Sequence, residues 1–455
     1  MKGVLIMSKR TQPLAKNLEM VGYDELNGKP GFQMAMQKAG GRYYLYTASF
    51  RHNGWNILDV TDPSKPRNIK WMEGPWVSDI HDGQSTPKIQ IADGLMITAH
   101  GGVMRELHGV ETNDNPFFGG IMIWDVKTDP ENPKLLSKFE CNGGAGVHRF
   151  FYNGGKYVYV TGTCEGFYNY ILRIVDISDP THPVETGKFW FDEQYLNNKA
   201  QKGVPRFGSG EFLASPFIHA LTVRDNIAYL AAPNKGLVML DVSDKTQPKL
   251  ISRLSVNPPF GGGAAGAPCH TALRLGDRPY VVLTTEGERA RYFANETTDG
   301  LFKKLKTQPM NGLFIVEITD INNPSLISVF PYPEVPEGYT HGSNFNVVDG
   351  VRVPFGPHNI FDAFGTDVYK PVDDKVYCCY FNAGLRIYDV KDPFRPKEIA
   401  YFMPPDPTKM YFDNATHTLM PGPEVAIAED VLVDDRGYIY FDTFQDGLYI
   451  LRSTI

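Results

Sequence analysis

The chain has 455 residues, 45 of them basic and 52 acidic, for a net charge of −7. That length admits two or three average domains or one large all-β unit. The near-balanced charge excludes the electrostatic footprint of a protein built to hold nucleic acid or an anionic membrane surface.

The first residues, MKGVLIMSKRTQP, hold only a short apolar run, too short for the core of a signal peptide, and no later segment is long enough to span a bilayer. The five cysteines (Cys141, Cys164, Cys269, Cys378 and Cys379) form no CxxC pair and no disulfide framework, as expected in a reducing compartment. The expectation is a soluble cytoplasmic protein. Residues 1–455 read as one domain, with residues 1–16 as an N-terminal arm.

The segment NLEMVGYDEL, residues 17–26, reads as a lone strand. After it a unit recurs. Its clearest part is a β-rich apolar run, an acid and a proline-marked turn: GWNILDVTDPSKP, GIMIWDVKTDPENP, ILRIVDISDPTHP, GLVMLDVSDKTQP, GLFIVEITDINNP and GLRIYDVKDPFRP. Apolar run, Asp-Pro and second proline read as strand, tight turn, strand. Following strands include KLLSKFEC and KLISRLSV, and preceding strands include YVYVTG, AYLAAP and YIYFDT. The last copy, GLYILRSTI, ends after its third strand. Four strands per unit and seven units, with alternation rather than helical spacing, predict an all-β seven-bladed propeller. Residues 17–26 supply the missing outer strand of the last blade and close the ring, which removes an exposed sheet edge. Two stretches, 83–90 and 363–372, fit this frame poorly and read as insertions.

Five of the eleven histidines fall at one place in the repeat, the start of the first strand: His81, His148, His219, His270 and His358. First strands line a propeller's channel, so these imidazoles are expected to converge near one mouth. Aligning AEDVLVDDRGYIYF and FQMAMQKAGGRYYLY to the repeat puts Glu429 and Gln33 at the same place. The longest connections fall on the histidine side, where function is expected.

The runs GLVMLDVSD, ILRIVDISDP and GLRIYDVKDP resemble the LVIVD-repeat family of β-propellers, over nearly the whole chain. The resemblance implies the fold and leaves the activity open. In ring logic alone the chain is also similar to carotenoid cleavage oxygenases, which hold iron through histidines of different blades, and to the copper-associated selenium-binding methanethiol oxidases.

Neutral imidazoles in a sheltered channel suit one divalent transition metal, Fe, Cu or Zn, taking three or four of the five histidines. Glu429 is expected as ligand, second-layer orienting group or general base, and Arg149 as a catalytic group that pairs with an anion. Loops after the second strands add His100, Glu286 and Arg289 as substrate contacts, together with Gln33. The glycine-rich 261–268 has no strand–loop–helix frame for phosphate, and the repeated aspartates are turn-formers. The function expected is a metalloenzyme acting on a small organic substrate, aromatic ones included. Oxidoreductase or oxygenase chemistry is favoured slightly. Carbon–carbon lyase chemistry, with or without metal, by His/Glu acid–base catalysis and a non-catalytic binding scaffold are the alternatives.

Overall fold

A computed structural model describes residues 9–49, 52–74, 84–102, 117–197, 216–233, 235–256, 269–286, 311–345, 347–348, 351–362, 366–371, 373–408 and 425–455. Seven four-stranded antiparallel sheets form the blades of a propeller. Blades 1 to 5 run in chain order, from Gly31–Ala39 as the first strand of blade 1 to Ser325–Val329 as the last strand of blade 5. Apolar side chains on both faces of each sheet interleave with the neighbouring blades and form the buried clusters between them.

The repeated acids build the turns between third and fourth strands. Asp59, Asp125, Asp176, Asp241, Glu317 and Asp389 each accept a hydrogen bond from the backbone N–H two residues on. A second acid three or four residues later does the same, as in Asp62 with Ser64 and Asp179 with Thr181. These are Asx turns in tandem. All six turns sit beside a register shift at one place, for example Ile174/Val175 and Met239/Leu240. Such bulges strengthen the local twist that fans the blades.

The ring closes through the N-terminus. Leu18–Asp24 pairs antiparallel with Leu448–Ser453, from Leu18 opposite Ser453 to Asp24 opposite Leu448. In addition Leu14–Lys16 pairs with Lys397–Met403 on the rim of blade 6. Three of the residues expected to be an arm are therefore a strand, because blade 6 offers an open edge next to the closing strand. Arg10 is tied down upstream of it: its backbone N–H donates to Asp406 Oδ2 at 2.6 Å, and His341 Nε2 contacts the same oxygen at 2.8 Å.

The described parts of the two expected insertions lie within a first strand in blade 2 and just after one in blade 6. Residues 84–90 belong to Gln84–Ala92, the first strand of blade 2. In blade 6 the innermost strand is the short irregular segment around 358–361. His358 N donates to Cys379 O, Cys379 N to Asn359 O and Phe361 N to Tyr377 O. The stretch that follows turns under blade 7, where Lys370 N donates to Val433 O and the Tyr369 hydroxyl accepts from Met36 N at 2.7 Å. It rims the channel mouth opposite the histidines.

Candidate metal centre in the channel

The start of each first strand is where the ladder is broken. Register shifts span Gly31/Met34, Ser85/Lys88, Val147/Arg149 and Ala428/Val431 in blades 1, 2, 3 and 7. Gln33, His148 and Glu429 lie inside these bulges, which are a common device for re-aiming side chains at a site. In blades 4, 5 and 6 the equivalent residues, His219, His270 and His358, each donate a backbone N–H to the second strand. The shared register brings Gln33, His148, His219, His270, His358 and Glu429 to one level. In blade 2 it assigns that level to position 87, next to Lys88. His81 and Arg289 lie outside the described residues.

Four histidines form a contiguous arc. Ring centroids are 4.5 Å apart for His148–His219, 4.2 Å for His219–His270 and 4.8 Å for His270–His358. Two rings are held in a defined tautomer. The Nδ1 atom of His219 lies 2.8 Å from the backbone oxygen of His270, which can only accept, so Nδ1 carries the hydrogen. The guanidinium of Arg149 lies 3.2 Å from His270 Nε2 and can only donate, so the His270 hydrogen sits on Nδ1, 2.8 Å from Thr271 Oγ1. In both neutral rings the Nε2 lone pair faces the channel. A partner on the far ring nitrogen that fixes tautomer and direction is typical of metal-bound histidine.

Glu286 completes the donor set. His219, His270 and Glu286 present ligand atoms all within 4.8 Å of one another, and all three residues are buried. Glu286 Oε1 is 3.9 Å from His270 Nε2 and 3.9 Å from His358 Nε2. Three ligands at about 2.1 Å from one ion stand about 3.4–3.6 Å apart, so occupancy requires the cluster to contract by up to about 1.4 Å. Two nitrogens and a carboxylate oxygen suit Zn, Fe or Cu.

Around these groups the channel is crowded with buried charge. Burial, then the neighbouring His219 and Arg149, push the pKa of His270 well below its usual value, and burial does the same to His358. Burial drives the Glu429 carboxyl well above the carboxylate range, and Asp430 and Asp442 upward as well. Glu429 Oε2 lies 3.2 Å from His358 Nδ1 without the alignment of a hydrogen bond. Asn359 donates to the Glu429 backbone oxygen at 3.0 Å and to its Oε1 at 3.2 Å, and its own Oδ1 accepts from Arg149 at 2.9 Å. Perturbed titratable groups packed together in a channel mark functional sites more often than structural ones.

Arg149 therefore reaches from blade 3 to His270 of blade 5 and Asn359 of blade 6. Gln33 Oε1 accepts from the backbone of Ile89 at 3.2 Å. His100 is not brought to the site. It is fully buried between Trp55 and Phe118, with Nε2 2.7 Å from Thr98 Oγ1, and burial lowers its pKa to about 3. A cavity of about 60 Å³, lined by Gln33, Gln90, Arg149, Asn359 and Asp430, lies beneath the ring. It has room for a few waters and not for an organic substrate. A second cavity of about 600 Å³ at the opposite mouth shares Phe151, Thr222, Leu273 and Asp362 with the first.

Sequence reasoning missed Lys88, Asn359 and Asp430, each directly after a ring position. Fold and site together define a seven-bladed propeller with a buried histidine–carboxylate group in its channel that could hold a metal ion. The LVIVD repeat profile matches residues 154–190 and 219–256, which cover most of blade 3 and all of blade 4, so these two blades carry LVIVD repeats. No curated protein matches it. Among solved structures it is similar to a hypothetical selenium-binding protein from Sulfolobus tokodaii, at 14% identity and a TM-score of 0.52 over 92% of this chain and 84% of that one. A periplasmic gluconolactonase from Pseudomonas aeruginosa aligns at 8% identity and a TM-score of 0.50, over 90% of this chain and 99% of that one. At these identities the likeness is one of fold.

Proposed function

We propose that this propeller is a metal-dependent enzyme acting on a small organic substrate at the histidine end of its channel, with oxidoreductase or oxygenase chemistry favoured. The observation that carries the reading is the buried cluster of His219, His270 and Glu286, whose ligand atoms lie within 4.8 Å of one another, with the Nδ1 atoms of both histidines anchored. A bound Fe, Cu or Zn ion would supply Lewis acidity or, for iron and copper, activation of dioxygen. His219, His270 and Glu286 would hold the ion, with His148 and His358 flanking them. Asn359 fixes the position of Glu429, and Arg149 caps His270 Nε2 in the metal-free protein. Glu429, whose pKa burial raises, serves as a proton donor on the side away from the arc. Substrate lies between the arc and the side formed by Glu429 and Gln33. Five buried, unpaired cysteines support a reducing, cytoplasmic setting.

A metal-free lyase using histidine and Glu429 for acid–base chemistry is the second reading. It is favoured by Arg149, which satisfies His270 Nε2 without any ion. The discriminating experiment is metal analysis of protein produced without a histidine tag, stripped with chelator and reloaded with Fe(II), Cu(II) or Zn(II). About one tightly held ion per chain supports the metalloenzyme. Failure to retain any of the three rejects it in favour of the lyase.

A further inference from the structure

Lys88 directly follows the ring level in blade 2, in the place that Arg149 takes in blade 3. It is 3% exposed. Among the described residues its amine makes no hydrogen bond and no ion pair. Its one close polar–aromatic contact is the face of Phe32, with Nζ 3.5 Å from the ring centroid. Phe32 stands edge-on to His358, ring centroids 6.0 Å apart. The amine therefore lies one aromatic ring away from His358, close enough to feel the charges of Glu429 and Glu286.

Natural proteins almost never bury a lysine without a partner. An ammonium over an aromatic face gains about 0.5–2 kcal/mol, less than the several kcal/mol needed to desolvate the ion. Burial first, and then the nearby Arg149, depress its pKa well below the ordinary lysine range, against the pull of Glu429, Asp430 and Glu286. Desolvation and a neighbouring cation are the two devices by which lysine amines are made nucleophilic.

We propose that Lys88 is an amine nucleophile that forms an imine with a small aldehyde or ketone at the histidine face of the channel. The Lys88 Nζ lone pair adds to the carbonyl carbon, the carbonyl oxygen takes up a proton and the nitrogen gives one up, leaving a carbinolamine. Loss of water then forms the C=N bond. The imine withdraws electrons from the adjacent carbon, which is the requirement for cleaving or deprotonating a bond there. The proposal goes beyond the metal reading and does not depend on it.

The test is reductive trapping with acetaldehyde and sodium cyanoborohydride at pH 6.5, on chelated and on metal-loaded protein, with ethylation rates read lysine by lysine by mass spectrometry. At that pH an ordinary surface lysine is only about 0.01% free amine. Lys88 is expected to be ethylated at least about tenfold faster than the exposed Lys65 and Lys127. In Lys88→Met, which keeps the stem and removes the amine, no other lysine is expected to take over the fast phase. Modification of Lys88 no faster than Lys65 and Lys127 in wild-type protein overturns the proposal, whether or not the variant folds and whether or not metal is bound.

Discussion

The Nε2 atoms of His148 and His219 stand 2.7 Å apart, although the two residues belong to neighbouring blades. His219 already donates through Nδ1 to the backbone oxygen of His270, so in the neutral ring its Nε2 accepts and the hydrogen between the two rings comes from His148. The contact is therefore a hydrogen bond of the metal-free protein. Two ligands of one tetrahedral ion sit about 3.4 Å apart, so metal and this bond exclude each other.

It follows that His148→Ala weakens the chelated protein by about 1–3 kcal/mol, the cost of leaving a buried acceptor without its donor, and weakens the metal-loaded protein less. Urea unfolding of both forms checks this. An equal loss in both would mean that the imidazole pair is kept when metal binds, contrary to the ligand role of His219.

Arg149 gives the second prediction. Its guanidinium donates to His270 Nε2, the lone pair an ion must take, and adds a like charge at the same spot. Arg149→Met removes both competitors while keeping an apolar stem. Metal affinity should rise about tenfold, equivalent to about 1.4 kcal/mol, in competition against a chromophoric chelator. Weaker binding in this variant would show that Arg149 supports the centre from outside rather than occupying it.

Much of this arrangement is legible in the sequence, for a reason visible in the turns. Asp59, Asp125, Asp176, Asp241 and Asp389 recur because every blade needs the same Asx turn, and a repeated need leaves a repeated letter. His148, His219, His270 and His358 recur in the same way, and Glu429 and Gln33 follow by alignment. The next position along each first strand carries Met34, Lys88, Arg149, Ala220, Thr271, Asn359 and Asp430, all different. No periodicity marks such a layer, and only the strand register assembles it. In blade 2 the strand register assigns the ring level to position 87, inside the bulge between Ser85 and Lys88, while His81 lies outside the described residues. Glu286 was legible as a loop acid, but its approach to His270 and His358 depends on how the second strand of blade 5 ends.

Closure of the ring makes a third prediction. Gly22 lies in the closing strand beside a register shift, and a β-carbon there would meet the backbone oxygen of Pro63 in blade 1 at 2.1 Å. Backbone cannot yield as a side-chain end can. Gly22→Val should cost about 2–4 kcal/mol by forcing the strand off blade 1. Among the described residues, deleting 1–16 removes the extra rim strand of blade 6 and the Arg10 anchor, and it should leave a cooperative fold. Deleting 1–24 should abolish it, as read by thermal unfolding. A 1–24 deletion that unfolds like wild type would refute closure through the N-terminus.

The last prediction isolates one histidine from the rest of the titrating interior. His100 is far from the channel groups, fully buried, and held by burial at a pKa of about 3. In the unfolded chain it titrates near its ordinary value of about 6.5. Between those values the unfolded state binds a proton that the folded state does not, so stability rises with pH in that window and is lost as pH falls through about 6.5. From pH 7.5 to 5.5 the loss from this residue is about 1.4 kcal/mol. The buried carboxylates Glu429, Asp430 and Asp442, whose pKa values are raised, act in the opposite sense: they favour the folded state at low pH and less so as pH rises. Wild-type stability alone therefore hides the His100 contribution, and the comparison with His100→Gln exposes it. Glutamine keeps a polar end beside Thr98 and does not titrate. The stability of wild type minus that of the variant should shrink by about 1.4 kcal/mol between pH 7.5 and 5.5 in urea unfolding. A difference that stays constant over that range would mean that His100 takes up its proton in the folded protein.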